Sequence, residues 1–335
     1  VHTLSISNFG PIKSARLDVS KFLVLIGPQS SGKSTISKLI YYFLSVRDEV
    51  VAFILESAES DDPNHLLLTR FKKRLQRRFV EFWGPTPQPT NVSISYQYSA
   101  SRTIEVRLDE ARHKYTNVHL SKELWDQIRD LLHEKRDELR DKGDNTVFLS
   151  AAGKANVELR LSNLRRYIRN RCCEIFDYDK ELLFIPAGRS LLSTLSDQIQ
   201  NIHPHLLDYP MRQFVDIVNG YKSYFIRALD DIVREKRVLS DLPVPIATIR
   251  MAQSYMKRIL KGEYIHDREG GKLFVNSKVY TKINFASSGQ QESVWILLTL
   301  FLLILEKSES LVVIEEPEAH LFPVAQKEIL EFISF

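Results

Sequence analysis

Two short, wholly apolar runs stand near opposite ends of the chain, Phe22–Ile26 and Leu311–Ile314. Unbroken hydrophobicity over four or five residues, rather than alternation, predicts strands buried on both faces, as in a parallel sheet. Their separation predicts a discontinuous core with the middle of the chain inserted into it. There the pattern changes: Val92–Tyr98 and Thr103–Leu108 alternate at period two and predict a hairpin with one solvated face. Leu124, Ile128, Leu131 and Leu132 line one helical face, and Val157, Leu161, Leu164 and Ile168 another, which predicts a short antiparallel helical pair turning at Gly143-Asp144-Asn145. The segment Gly84-Pro85-Thr86-Pro87-Gln88-Pro89 breaks any helix. Leu191 to Leu260 reads as mostly helical with a break at Asp241–Pro245, and Glu263–Asn276 as a hairpin turned by Gly270-Gly271. Val294–Leu305 is an apolar run about half a bilayer span in length, which predicts a core helix.

Composition narrows this picture. At 335 residues and 44% hydrophobic content the chain can bury a sizeable core, as one bilobal domain or two smaller ones. The two cysteines, Cys172 and Cys173, are adjacent, which excludes a disulfide framework and argues against a thiolate metal site. They read as idle thiols of a reducing cytoplasm. Val1-His2-Thr3 runs straight into a strand pattern, so no signal peptide is expected, and the expected localisation is cytoplasmic without a membrane span. His203, His205 and His266 repeat no ligand spacing and are expected at the surface or in the core. Net charge is only +4, yet Arg70–Arg78 packs six cations into nine residues, and Arg165, Arg166, Arg169 and Arg171 form a second group. Three readings stay open for these: a DNA surface, a solvated helix face or a protein contact.

Candidate chemistry lies at the ends of the apolar runs. Directly after the first comes Gly27-Pro28-Gln29-Ser30-Ser31-Gly32-Lys33-Ser34, followed by a helical pattern from about Thr35 to Leu44. This spacing suits a phosphate-binding loop, whose backbone N–H groups wrap a phosphate chain and whose glycines permit close approach. Lys33 supplies charge to the β and γ phosphates, and the Ser34 hydroxyl can ligate Mg²⁺. The helix beginning near Thr35 turns its positive end toward the same anion. After the second run come Glu315-Glu316-Pro317-Glu318-Ala319-His320, two carboxylates at a strand's C-terminal edge, where open α/β sheets bind ligands. Glu315 is expected to hold Mg²⁺ through water and Glu316 to polarise the attacking water. An exposed acidic turn is the plain alternative. A second anion site is suggested by Ser287, Ser288, Gly289 and Gln290 at the head of the apolar helix, although a serine in that place is, in isolation, more often just an N-cap.

Together these segments resemble the ABC-type ATPase head of the Rad50, RecF, SMC and OLD-like families. Leu4–Lys13 looks like their first strand and turn, and Ala286-Ser287-Ser288-Gly289-Gln290 like a degenerate L-S-G-G-Q signature. Glu315–Pro323 looks like the OLD-like E-E-P-E-A-H-L-H-P, with Phe322 in place of the second histidine. Phe184-Ile185-Pro186-Ala187-Gly188-Arg189-Ser190 resembles the I-P-A-x-R-S stretch of bacterial ATPases in this group. The resemblance implies a P-loop NTPase of α/β class with a mixed core sheet, an antiparallel first-lobe sheet, a helical second lobe and an inserted helical segment. It divides the chain into an ATPase lobe over 1–56, an insertion over 57–181, a return strand over 182–190, a helical lobe over 191–262, and signature, acidic strand and D-loop over 263–335. It implies slow ATP hydrolysis with Mg²⁺, and a homodimer or higher oligomer in which the signature serine and glycine of one head contact the γ phosphate held by the other. His320 then lies in the loop facing the second subunit. The family's last strand and switch histidine fall beyond Phe335, so the natural protein is expected to be longer or to obtain that strand elsewhere. In style the acidic segment is nearest bacterial anti-phage defence ATPases of the Septu, Gabija or PARIS type, which implies a sensor or scaffold that controls an effector nuclease or other protein. A DNA-repair clamp is the rival reading, and a transporter ATPase subunit a weaker one. Phe9 and Lys13 lie in the turn where the adenine contact is sought.

Overall fold

The computed structural model describes residues 1–57, 64–84, 91–108, 116–140, 151–194, 206–239 and 245–334. Pro85–Pro89, Gly143–Asn145, His203, His205 and Asp241–Val244, all invoked above, lie outside them. The chain divides into two compact units, Val1–Asp179 and Lys180–Phe335.

In the first unit, strands β1 (His2–Phe9), β2 (Ile12–Val19), β3 (Ser93–Gln97), β4 (Thr103–Leu108) and β5 (Thr116–Leu120) form one antiparallel sheet in the order β2-β1-β3-β4-β5. The predicted hairpin is therefore not separate from the N-terminal strand, because β3 pairs with β1 from Thr3↔Gln97 to Ser7↔Ser93. Helices α1 (Lys33–Ser57), α2 (Asn64–Trp83), α3 (Lys122–Arg140) and α4 (Ala151–Phe176) complete the unit. Alternation on β1 and β3 buries Leu4, Ile6, Ile94 and Tyr96, and Tyr96 meets α1, where Phe43 stacks on it at 5.1 Å between centroids. Large rings supply the burial here, and their hydroxyls are satisfied: Tyr98 Oη donates to Phe43 O at 2.6 Å and Tyr42 Oη to Leu75 O at 3.0 Å. The α3 stripe is buried as predicted, and so are Leu164 and Ile168, but Leu161 is exposed. Beyond Ile168 the buried face of α4 continues through Cys172, Ile175 and Phe176. Burial pushes the Cys172 thiol up to about 12, so it stays protonated and inert.

In the second unit, β6 (Glu181–Ile185) pairs in parallel with β10 (Ser310–Ile314), and β7 (Glu263–Asp267), β8 (Gly270–Phe274) and β9 (Tyr280–Lys282) form an antiparallel sheet. Helices α5 (Ser190–Thr194), α6 (Tyr209–Tyr221), α7 (Leu229–Leu239), α8 (Ile246–Leu260), α9 (Ser288–Glu306) and α10 (Pro323–Ser334) surround them. Helix α9 is long and apolar enough to cross a membrane, but it is the core of this unit: Val294 through Leu298 and Phe301 are wholly buried. Within its apolar body the polar groups of Trp295 and Thr299 are paired inside, Trp295 Nε1 donating to Ser193 Oγ at 2.8 Å and Thr299 Oγ1 lying 2.5 Å from Tyr221 Oη.

Three expectations change. Phe22–Ile26 is not a strand: it pairs with none of the described strands, and Phe22, Val24 and Ile26 are 65%, 58% and 91% exposed. Its apolar character was sound, but a strand needs a neighbour, and the edges of the five-stranded sheet are β2 and β5. Among the described residues the expected mixed core sheet is likewise three separate sheets, and β10 is half-buried because only β6 flanks it. Finally, the β7–β8 turn is Arg268-Glu269, with Glu269 N donating to Asp267 Oδ1 at 2.9 Å. Gly270 opens β8 at φ +103°, and a Cβ on Gly271 would stand 2.6 Å from Tyr264 Oη, so these glycines serve the strand rather than the turn.

Candidate nucleotide site

The loop Gly27–Ser34 closes on itself. Lys33 Nζ donates to Gly27 O and to Pro28 O, both at 2.7 Å, which draws the start of the loop over the head of α1. Ser30 (φ +61°) and Gly32 (φ +97°) adopt left-handed backbone, the device that turns successive N–H groups toward one centre. A side chain at Gly32 has no room: a Cβ would lie 2.6 Å from Ile12 Cγ1 and 3.3 Å from Pro11 Cγ, in the turn between β1 and β2. The helix begins at Lys33 rather than near Thr35 and runs to Ser57, with Ile36 N donating to Gly32 O at 2.9 Å. Its first-turn N–H groups lack helical acceptors and are available to an anion. Ser30, Ser31 and Ser34 are exposed, Gln29 and Pro28 too, and Thr35 is half-buried.

Phe9 is not available to a base. It is 1% exposed and packs edge-on to Trp83 at 5.5 Å, whereas Lys13 stays exposed. The basic run on α2 is also partly spent: Arg74 pairs with Glu49 and Glu56 on α1, each at 2.5 Å, and Arg78 pairs with Glu49. Lys73 and Arg77 remain exposed.

In the second unit β10 ends at Ile314, and the backbone turns between the two acids. Glu315 is buried, with its N–H bonded to Ile185 O at 3.0 Å and Oε2 accepting from Ala187 N at 3.4 Å. Glu316 is exposed and left-handed at φ +43°, so the two side chains part without a continuing strand. Its carbonyl accepts from Ala319 N at 3.1 Å and Arg189 Nη2 at 2.9 Å. His320, at φ +60°, is exposed.

The Ser287 reading as a helix cap holds. A full capping box joins it to Gln290: Gln290 N donates to Ser287 Oγ at 3.4 Å and Ser287 N to Gln290 Oε1 at 3.1 Å. Gln290 Nε2 also donates to Leu260 O at 2.7 Å, so this glutamine anchors the turn rather than facing out. Ser287 and Ser288 are exposed, and Gly289 is buried against the acidic turn, where a Cβ would lie 2.7 Å from His320 O. Gly289→Ala is therefore expected to cost about 1–3 kcal/mol through overpacking against a backbone atom. Thermal unfolding should show a lower Tm; an unchanged Tm would mean the turn at His320 gives way freely.

The sequence reading assigned no role to Arg189, which lies in the Phe184–Ser190 segment, or to Glu292. Arg189 is wholly buried and joins Glu292 to the acidic turn. Burial lowers its pKa, opposed by Glu292, then Glu315, Glu316 and Glu318. The available signal was a charge stranded in an apolar setting: Arg189 after Leu182–Ile185, and Glu292 before the apolar body of α9.

Among the described residues no three His, Cys, Asp or Glu side chains gather into a metal-binding group. Mg²⁺ does not need such a group, since it takes one or two protein ligands and completes its shell with water and phosphate. Ser34 in the first unit exposes a hydroxyl, and Glu315 in the second carries a carboxylate that accepts from Ala187 N.

No curated protein matches the chain. A family model described as an AAA ATPase domain matches residues 1–334. With the loop closed by its own lysine ahead of a long helix, and the match spanning the described chain, this protein belongs to the AAA ATPase domain family, whose members bind and hydrolyse ATP through a P-loop.

Proposed function

We propose that this ATPase is a head of ABC type that binds Mg²⁺ and ATP and that associates with a second head around the nucleotide. The observation that carries the reading is the loop closed by Lys33 onto Gly27 and Pro28 and shaped by left-handed Gly32. In it Gly27, Gln29, Ser30, Ser31, Gly32, Lys33, Ser34 and Thr35 hold the phosphates through N–H groups and the Lys33 ammonium charge, while Pro28, which has no N–H, shapes the loop. Ser34 would offer its hydroxyl to Mg²⁺ and Glu315 would hold the ion through water; the ion, when bound, would neutralise charge on the terminal phosphates. Glu316 is the general base, its exposed carboxylate free to take the proton of an attacking water. Ser288 and Gly289, at the start of α9, present N–H groups to the partner head's γ phosphate beside the exposed Ser287 hydroxyl, whose own N–H is engaged by Gln290, and His320 faces that partner. Gln290 supports the cap from within.

Because the triphosphate charge draws the heads together, association weakens when the γ phosphate leaves. Hydrolysis thus sets the lifetime of the assembled state. The Glu-Glu form of the acidic segment favours a cytoplasmic defence ATPase that acts as sensor or scaffold for an effector nuclease. The DNA-clamp reading draws on the α2 cations, and the ion pairs of Arg74 and Arg78 reduce what that surface offers to phosphates.

The test is light scattering of the purified chain with MgATP, with ADP and without nucleotide, alongside phosphate release. The mass is expected to double with ATP alone. A monomer in all three, with hydrolysis intact, removes the two-headed reading. Co-purification of a nuclease with the tagged chain separates a defence role from a repair clamp, which would retain duplex DNA instead.

A further inference from the structure

Arg189 occupies an unusual position for a charge. No part of its side chain reaches solvent, and its donors are spread over three carbonyls of two segments and one helix residue. Nη1 donates to Pro186 O at 2.5 Å and Glu315 O at 2.7 Å, and Nη2 to Glu316 O at 2.9 Å. Nε donates to Glu292 O at 3.1 Å, while the Glu292 carboxylate lies 3.4 Å from Nε and accepts from the backbone N–H of Arg189 at 3.0 Å and of Ser190 at 3.1 Å. A buried ion pair is seldom a net source of stability, because desolvation offsets the attraction. What this one supplies is location.

The acidic turn needs location. A left-handed residue with a Cβ costs about 1 kcal/mol or more and persists only where its surroundings hold it. Glu316 has that conformation, and Arg189 bonds the carbonyls on both sides of the peptide that leads into and out of it. Glu292 in turn lies on α9, four residues after Ser288.

We propose that Arg189, locked by Glu292, is a positioning residue for ATP hydrolysis: it holds the Glu315–Glu316 backbone so that the Glu316 carboxylate is aimed, and ties that aim to the placement of the helix headed by Ser287–Gly289. This rests on the reading of Glu316 as the base.

The test is Arg189→Lys, which keeps the charge but loses the fork that reaches three carbonyls at once. Turnover number is expected to fall about tenfold to a hundredfold, the scale of a misplaced catalytic group, with KM and ATP affinity little changed. In a Glu316→Gln background, single-turnover phosphate release should fall no further when Arg189→Lys is added, because the two act through one group. Glu292→Asp, which loosens the lock and leaves Arg189 in place, should show the same pattern more weakly. All variants are compared at a temperature where circular dichroism shows them folded. Native turnover in both variants overturns the proposal, as do losses that multiply with Glu316→Gln, a KM that rises in step, or failure of both variants to fold at any temperature. If Glu316→Gln itself turns over normally, the base assignment falls; if it is slow while Arg189→Lys is native, only the positioning role falls.

Discussion

Replacing Glu316 by glutamine is expected to leave ATP binding intact and to slow hydrolysis by about a thousandfold, within the range that general-base catalysis contributes. The substitution is nearly isosteric, and glutamine meets the same left-handed backbone at φ +43° with the same carbonyl bonds from Arg189 and Ala319. Only proton affinity changes. ATP-loaded assembly should accumulate, since the step that releases it is blocked. Phosphate release under saturating ATP, nucleotide titration and light scattering measure the three effects separately. Glu318 is the internal control: it is an exposed carboxylate two residues on, and Glu318→Gln should retain activity to within about twofold, as expected of a group that makes no contact in the transition state. Full turnover in Glu316→Gln with loss in Glu318→Gln would transfer the role.

The second large effect is expected at Gly32. Gly32→Ala imposes a side chain where φ is +97° and where its Cβ would stand 2.6 Å from Ile12 Cγ1 and 3.0 Å from Ile12 Cδ1. Either the left-handed turn relaxes or Ile12, 7% exposed in the sheet, is displaced. Backbone strain of this kind costs about 1–3 kcal/mol, and relaxing it turns loop N–H groups away from their common centre. ATP affinity should therefore fall about tenfold to a hundredfold, read by isothermal titration, while far-UV circular dichroism stays native. Gly27→Ala is the comparison: there a Cβ meets Ser31 Oγ at 3.2 Å, a hydroxyl that can rotate away, and Ser31 Cβ at an ordinary 3.9 Å, and a weaker effect is expected. Equal, undiminished affinity in both would mean that the loop does not bind the nucleotide.

The sequence by itself determined the local devices: the loop with its glycine spacing, a serine cap at the head of the apolar helix α9, the alternating strands β3 and β4, and α9 itself. Each depends on residues a few positions apart, whose φ/ψ preferences and side-chain periods act without help from the rest of the chain. Helix α1 was legible as a helix but not in its length, since Tyr41–Phe43 and Phe53 are held by ring packing that sequence spacing does not reveal. Tertiary structure alone decided that Phe9 is core rather than a base platform, that Arg74 is neutralised by acids 18 and 25 positions away, and that Phe22–Ile26 finds no strand partner in its unit. It also brought Arg189 to a carboxylate 103 positions away and to carbonyls 126 and 127 away. An apolar run states that burial is favourable, and an arginine that a charge must be satisfied; which surface or which oxygen answers them is settled only when distant segments close upon one another.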